Sequence, residues 1–233
     1  MSDTGKGNPA RDYGGDAAAR QAEWFRYYSE KRIAHQWLQV RLLQGLPVKT
    51  VLEVGPGLGL VSAMLDHAGY RVTTLDRLPA QYHNARIAHI EADLAAVAAE
   101  RLAGFDAILC CETLEHFAWA EVDRLLAKFR KAAPGYLVLS VPYMGAQLDL
   151  RLSLNCRRAR RALSLKLFRG LRRFRPDADP LGHKWEVGYR GTGLSAWEAK
   201  LAAAGFRPRR REFTGQTRSV FHVCQPDSDE RTA

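Results

Sequence analysis

The chain has 233 residues, of which 46% are hydrophobic and 26% are charged, and these are ordinary values for a globular protein. No apolar run approaches the roughly 18 residues of a membrane-spanning helix, and the polar, glycine-rich residues 1–16 are not typical of a signal peptide. The formal net charge is +10, and residues 151–175 carry the whole excess, with ten Lys and Arg and no Asp or Glu.

A helical extension is predicted first along the chain. Residues 17–44 lack Gly and Pro, and Ile33, Trp37 and Val40 recur at helical spacing until Gly45 ends the pattern. Residues 1–16 before this helix are interpreted as a mobile tail.

Short apolar runs then alternate with helical segments. The predicted strands are residues 50–55, 71–76, 89–93, 105–110, 136–141, 207–213 and 219–224. The predicted helices are residues 60–69, 94–103, 119–133 and 193–206. This alternation indicates an α/β fold, a doubly wound, parallel sheet with helices on both sides.

The alternation stops after residue 142 and resumes only near residue 193. The simplest organisation is one domain over residues 17–233, with a helical extension over 17–47 and a basic insertion over 143–190. The four cysteines include the adjacent pair Cys110 and Cys111 and have no CxxC spacing, so we expect reduced thiols in a cytoplasmic protein.

The segment VLEVGPGLG contains the end of the first predicted strand and a glycine-rich loop that follows it. Its glycines let the backbone approach a ligand closely, and the next helix N-terminus favours an anionic group. A dinucleotide fingerprint needs a third glycine at position 60, which is Leu60, and the GK[ST] ending of a Walker loop is absent.

Carboxylates end the next two strands. Asp76 ends the second strand, where a carboxylate can accept hydrogen bonds from both hydroxyls of a ribose. Asp93 ends the third strand, where it can accept from an adenine amine. Either residue alone is equally compatible with a helix N-cap, but the glycine loop and both carboxylates in this order favour a nucleoside ligand.

These residues carry a family resemblance. The segments VLEVGPGLG, TTLD, EADL and FDAILCCETLEHF resemble motifs of the class I S-adenosylmethionine-dependent methyltransferases, in their small-molecule branch. The resemblance covers residues 48–142 strongly and the last helix and strands more loosely. It implies a Rossmann-like sheet of seven strands with the last one antiparallel, S-adenosylmethionine as methyl donor, S-adenosylhomocysteine as product, and no metal.

The resemblance also implies a set of cofactor-binding residues, which lie near the methionine portion, the ribose and the adenine. They are Glu53, Gly55, Pro56, Gly57, Gly59, Asp76, Arg77, Asp93, Leu94, Cys110 and Cys111.

Methyl transfer from a sulfonium is an in-line displacement, and a base is needed only where the nucleophile must lose a proton. The catalytic candidates are His116, His183 and Tyr143, and histidine suits the role of base because its ordinary pKa lies near neutrality. The alternative is that both histidines are hydrogen-bonded residues of the pocket wall. For Glu186 a structural ion pair or hydrogen bond is favoured.

Two other functions stay open. SVPY at residues 140–143 is similar to a motif of adenine-amine methyltransferases, but Val141 replaces its first proline and it follows strand five instead of strand four. Nucleic acid is therefore disfavoured as a substrate, and a small molecule is the expected partner. The remaining alternative is a non-catalytic cofactor-binding module that docks on anionic surfaces.

The basic stretch 151–175 is interpreted as an amphipathic helix, because Leu163, Leu167, Leu171 and Phe174 share one helical face. Three roles stay open for it: a helical lid over the acceptor pocket, arginine contacts to an anionic or lipid-linked acceptor, and peripheral contact with the inner face of a membrane.

Overall fold

The computed structural model describes residues 17–144, 147–153, 160–166, 173–215 and 217–227, and for 147–153 and 160–166 it describes the backbone alone. The predicted tail at residues 1–16 lies outside this range. The helices are α1 (Ala17–Tyr27), α2 (Glu30–Arg41), α3 (Leu60–His67), α4 (Val122–Lys131) and α5 (Leu194–Ala203). The strands are β1 (Thr50–Val54), β2 (Arg71–Asp76), β3 (Ala88–Glu91), β4 (Ala107–Cys111), β5 (Tyr136–Pro142), β6 (Gln147–Ser153), β7 (Arg160–Lys166), β8 (Phe206–Phe213) and β9 (Ser219–Pro226).

Seven strands form one sheet in the order β3-β2-β1-β4-β5-β9-β8. Strands β3, β2, β1, β4 and β5 pair in parallel, whereas β9 is antiparallel to both β5 and β8. The predicted α/β fold with a mostly parallel, seven-stranded sheet is therefore confirmed. The order reverses between β1 and β4, and in such sheets ligands bind at the carboxyl ends of the strands near that point.

Buried residues of the central strands alternate between two cores. Leu52, Ile108 and Leu137 pack with α4 and α5 on one face of the sheet. Val51 and Leu109 pack with α2 and α3 on the other. This period-two alternation places helices on both faces and leaves only the strand ends for a ligand.

The predicted helix over residues 17–44 is two helices. Ser29 separates α1 from α2 with an extended backbone, at φ −90° and ψ 165°. The predicted helix over 94–103 is wrong in extent, because only Ala99–Leu102 is helical, as one 3-10 turn. Ala98 is extended there, and Val97 and Leu102 are buried against the sheet, so packing overrides the helical preference of the alanines.

The amphipathic helix predicted within residues 151–175 is also corrected. Residues Arg160–Lys166 form β7, which pairs antiparallel with β6 in a separate two-stranded sheet. Leu163 and Leu165 lie two positions apart and face Leu150 and Leu148 in register, so the local leucine period is that of a strand. Leu167 and Leu171 of the predicted helix lie outside the described residues.

Among the described residues, none of the helices combines the length and the apolar character that crossing a membrane requires.

Replacing Phe129 by alanine is expected to lower the free energy of unfolding by about 3–5 kcal/mol, because its ring on α4 is 0% exposed and the change leaves a cavity. Phe25→Ala is the matched control, since Phe25 on α1 is 74% exposed and its loss should cost less than about 0.5 kcal/mol. Urea denaturation measures both, and equal losses would contradict the packing of α4.

Candidate active site

A cavity of about 770 Å³ opens at the carboxyl ends of β1, β4 and β5. Its floor is the loop after β1 and the segment after β4, and its walls come from α1, α2, residues 180–186 and the β8–β9 turn at 217–219. Eight of the predicted site residues line it: Glu53, Gly55, Pro56, Gly57, Cys111, His116, Tyr143 and His183. The sequence therefore located most of the cavity floor.

The remaining predicted residues do not line this cavity. Gly59 is the N-cap of α3, and Cys110 lies in the core. Asp76 and Arg77 lie at the end of β2, and Asp93 and Leu94 follow β3. All but Cys110 lie in or beside the glycine loop or at the ends of β2 and β3; β2 is adjacent to β1 in the sheet, and β3 is adjacent to β2.

The glycine loop is left-handed at three positions, with φ of 72° at Gly55, 55° at Gly57 and 82° at Gly59. Two of these positions also have close neighbours. A Cβ on Gly55 would lie 2.6 Å from Oγ1 of Thr113, and one on Gly59 would lie 2.2 Å from Cβ of Tyr82. Glycine is thus required there by both backbone conformation and space.

Glu53 is buried beneath this loop, at 4% exposure. Ser62 of α3 donates a hydrogen bond of 2.5 Å to its Oε2. Burial raises the pKa of Glu53 to about 7, against the opposing effect of the Ser62 hydrogen bond. The carboxyl group is therefore close to half-protonated at neutral pH in the free protein.

The two acidic strand ends differ in their surroundings. Asp76 is half-buried, and its Oδ1 accepts a hydrogen bond of 3.0 Å from the Leu78 N–H, while burial raises its pKa. Asp93 is exposed and accepts a hydrogen bond of 2.6 Å from the Ala95 N–H. Asp93 thus caps a turn and not a helix, and its second oxygen stays available for a ligand.

Three backbone hydrogen bonds hold residues 183–187 across the strand ends. The Lys184 N–H donates to the Glu115 carbonyl at 2.7 Å, and the Val187 N–H donates to the Pro142 carbonyl at 2.9 Å. The Met144 N–H donates to the Val187 carbonyl at 2.7 Å. The far end of the predicted insertion is thereby fixed beside β4 and β5.

His183 is the best-placed titratable group on this segment. Its ring is buried, and its Nδ1 lies 3.1 Å from Glu186 Oε1 and 3.9 Å from Asp179 Oδ2. A carboxylate accepts from Nδ1–H, so this contact leaves Nε2 with its lone pair. Glu186 makes the hydrogen bond that the sequence favoured for it, and its partner is the candidate base.

His116 lies against His183, with ring centroids 5.2 Å apart. Burial and the neighbouring His183 lower the pKa of His116. Nitrogen atoms of both rings and a carboxylate oxygen of Glu115 lie within 4.8 Å of one another. Such residue types also bind transition metals, but here they equally form a compact network for holding protons.

Glu115 is 0% exposed, and within the described part of the chain both of its carboxylate oxygens lack a hydrogen-bond partner. Burial raises its pKa well above the usual range, and the nearby Glu112 and Glu186 raise it further. Glu112 has a left-handed φ of 49° and accepts a hydrogen bond of 2.7 Å from Ser140 Oγ. Burial raises the pKa of Glu112 as well, so desolvation disfavours the ionised form of both carboxyl groups.

Tyr143 lies at the end of β5 and lines the cavity. Its ring packs edge-on against Phe213 of β8, with centroids 4.9 Å apart. This contact orients the phenol ring in the cavity wall, and a catalytic role for Tyr143 stays a prediction.

The sequence missed the wall formed by the N-terminal helices. Arg32, His35, Gln36 and Gln39 of α2 line the cavity, and they follow the spacing i, i+3, i+4, i+7. In the sequence, the sign of this wall is a stripe of polar residues at helical spacing beside the buried Leu38 and Leu42. The β8–β9 turn, with Thr217 and Arg218, was missed because nothing in its sequence marks it.

A family model described as a methyltransferase domain matches residues 25–176, which is more than half of the chain. The chain belongs to this methyltransferase domain family. The resemblance drawn from VLEVGPGLG, TTLD, EADL and the segment after β4 is thereby confirmed.

A curated relative of this methyltransferase domain is the ubiquinone biosynthesis O-methyltransferase of Xanthomonas campestris pv. campestris, which is 36% identical over 80 residues. That match covers 30% of this chain and 34% of the relative, so the chain spans about a third of the relative's length.

Two solved structures share the fold across nearly the whole domain. Magnesium protoporphyrin IX methyltransferase from Synechocystis PCC 6803, with bound S-adenosylhomocysteine, has a TM-score of 0.59 at 16% identity and covers 93% of this chain and 97% of that one. The N-methyltransferase NodS from Bradyrhizobium japonicum WM9, also with S-adenosylhomocysteine, has a TM-score of 0.58 at 16% identity, with coverages of 87% and 91%.

Glu53→Gln is expected to stabilise the cofactor-free protein progressively as the pH rises from about 4.5 to 7. In this window Glu53 ionises in the unfolded chain but keeps its proton when folded, so its contribution to stability falls as the pH rises. The variant minus wild-type difference in free energy of unfolding should grow to at most about 3 kcal/mol. Urea titrations at a series of pH values measure it.

Glu100→Gln, an exposed carboxylate paired with Lys131, is the control and should show no such growth. A difference for Glu53→Gln that is constant with pH would show that the carboxyl group is ionised in the folded protein.

Proposed function

We propose that this chain transfers a methyl group from S-adenosylmethionine to the oxygen of a phenolic hydroxyl on a small molecule. The proposed acceptor class rests on the buried His183. This residue lines the cavity beside the end of β4, and its Nδ1 is hydrogen-bonded to Glu186. The curated relative is named as an O-methyltransferase, which agrees with oxygen as the acceptor atom. Phenols suit this base because their pKa, about 10, lies closer to that of histidine than an alcohol's does.

The residues present fit the cofactor. The left-handed glycines let the loop backbone approach a ligand closely, among the described residues no atom beyond its chain neighbours lies within 4 Å of a Cβ built on Gly57, and the half-buried Asp76 at the end of β2 would accept hydrogen bonds from ribose hydroxyls. Gly55, Pro56, Gly57, Glu53 and the Cys111 backbone would hold the methionine portion, and Asp93 with the Leu94 N–H would hold the adenine. When bound, the cofactor supplies a methyl group on a positively charged sulfur, which needs no metal for activation.

His183 takes the acceptor proton in this proposal. Its Nε2 lone pair accepts the hydroxyl proton as the oxygen attacks, and Glu186 stabilises the resulting imidazolium through Nδ1–H. His116 and Glu115 adjoin this ring. Helices α1 and α2 form one wall of the cavity, which would limit the access of water to the donor.

An anionic or lipid-linked acceptor is the finer part of the proposal. Arg173 and Arg175, at the end of the basic stretch, line a surface cavity of about 600 Å³ together with Phe174, Tyr189 and Asp179. Asp179 also faces His183, so this surface adjoins the active site. An acidic group on the acceptor can reach these arginines, and the same residues can approach an anionic membrane surface.

Asp76→Asn is expected to weaken S-adenosylmethionine binding at least tenfold, because an amide accepts less strongly than a carboxylate from two ribose hydroxyls. Titration calorimetry measures the affinity, and Glu100→Gln serves as the control with unchanged affinity. Equal affinities for wild type and Asp76→Asn would remove Asp76 from the cofactor site.

His183→Ala is expected to lower kcat with a phenolic acceptor by about 100-fold or more while leaving S-adenosylmethionine affinity unchanged, because general-base catalysis contributes that much. Catechol and protocatechuate serve as acceptor probes in a methyl-transfer assay. If the arginines bind the acceptor's carboxylate, KM should be lower for protocatechuate than for catechol at low salt, and this difference should disappear at high salt.

His67→Ala, an exposed histidine at the end of α3, is the matched control and should retain full activity. Undiminished turnover by His183→Ala would contradict the base assignment. Cofactor binding without turnover of any acceptor would favour the non-catalytic alternative.

A further inference from the structure

His35 of α2 is a second buried histidine in the cavity wall, and the mechanism above does not use it. Its side chain is 6% exposed, and its ring packs against Phe221 of β9 with centroids 4.9 Å apart. It lines the cavity from the side of the β8–β9 turn, close to the ends of β5 and β9. This is the acceptor side, since the glycine loop and Asp76 lie at the ends of β1 and β2.

A directed chain of hydrogen bonds fixes which nitrogen of His35 carries the proton. The Ser219 N–H donates to Thr214 Oγ1 at 2.9 Å, and Thr217 Oγ1 donates to Thr214 Oγ1 at 2.7 Å. The Thr217 hydroxyl proton is thereby committed, so its oxygen accepts from His35 Nδ1–H, at 2.9 Å. Nε2 of His35 is consequently left with a bare lone pair.

Nε2 of His35 is buried and has no hydrogen-bond partner among the residues that the structure describes. A buried acceptor without a partner costs stability, and such atoms need an explanation. Charging the ring does not remove the cost, because burial and the neighbouring Arg32 lower the pKa of His35 to about 4. His35 is therefore neutral over the physiological range, and its Nε2 can only accept.

We infer that His35 is an acceptor-binding residue whose Nε2 accepts a hydrogen bond from a hydroxyl or N–H group of the methyl acceptor. The inference rests on the proposed function, and it adds to it that the acceptor carries a second hydrogen-bond donor besides the group that His183 deprotonates. A molecule with two neighbouring hydroxyls, such as a catechol, satisfies both histidines. The Thr217–Thr214 relay plays the orienting part for His35 that Glu186 plays for His183.

Two substitutions separate the two nitrogens of His35. His35→Asn keeps an amide N–H where Nδ1 stands, so the bond to Thr217 is retained while the acceptor at the position of Nε2 is lost. His35→Gln reaches the position of Nε2 and restores an acceptor there. With catechol as the probe, His35→Asn should raise KM about tenfold with little change in kcat or in S-adenosylmethionine affinity, and His35→Gln should recover most of the loss.

A binding experiment makes the test independent of turnover. Catechol is titrated into the protein saturated with S-adenosylhomocysteine, and the imidazole nitrogen-15 resonances of His35 are followed, with His67→Asn as the control variant. We expect the Nδ1–H tautomer in the free protein, a shift of the Nε2 resonance on binding, and about tenfold weaker binding by His35→Asn.

An Nε2–H tautomer, an Nε2 resonance that catechol does not move, or unchanged binding by His35→Asn would each overturn the inference. Equal loss in His35→Asn and His35→Gln together with lowered stability would assign His35 a structural role instead. If catechol binds and shifts Nε2 but is not methylated, the inference stands and the proposed function fails.

Discussion

The chemistry of this site depends on the hydrogen bonds that lay residues 183–187 across the ends of β4 and β5. All of them join backbone groups: Lys184 bonds to Glu115, and Val187 bonds to Pro142 and Met144 at the end of β5. They therefore do not depend directly on the side chains of the segment. Trp185 is 2% exposed and donates from its indole to the Phe117 carbonyl at 3.0 Å. This anchoring brings His183 to His116 and Glu115, which lie nearly seventy positions earlier in the chain.

Desolvation then decides the charge state of the cavity. Glu53, Glu112 and Glu115 all have pKa values raised by burial, and among these three only Glu115 lacks a hydrogen-bond partner for both oxygens. Burial disfavours the ionised form of these groups, and a cation that enters the cavity would favour the carboxylates, because a nearby positive charge lowers their pKa. The positively charged sulfur of the proposed donor is such a cation. Affinity for the donor is therefore expected to be coupled to proton release.

The sequence predicted those residues of the candidate site whose type follows from the local backbone conformation or from their position in a strand. The left-handed loop requires Gly55, Gly57 and Gly59, and Asp76 stands at the last position of a strand whose bounds were predicted correctly. For Glu186 the sequence predicted a hydrogen bond or ion pair but not its partner. The structure shows that the partner is His183, three residues earlier. The hairpin of β6 and β7 was missed because leucines at 163, 167 and 171 fit a helical period, whereas the partner strand that decides the matter lies in a different segment.

The wall from α2 shows why such contacts escape a reading of the sequence. The stripe of Arg32, His35, Gln36 and Gln39 is typical of a solvated helix face, and only the position of α2 over the strand ends turns it inward. The burial of this stripe is unfavourable for the free protein. Among the described residues Nε2 of His35 has no hydrogen-bond partner, and the neighbouring Arg32 guanidinium disfavours protonation of the His35 ring. A fold selected for stability alone would place an apolar residue at this position. The energetic cost is instead consistent with the proposed site, in which the acceptor completes these polar groups and would present one hydrogen-bond donor to each of the two histidines.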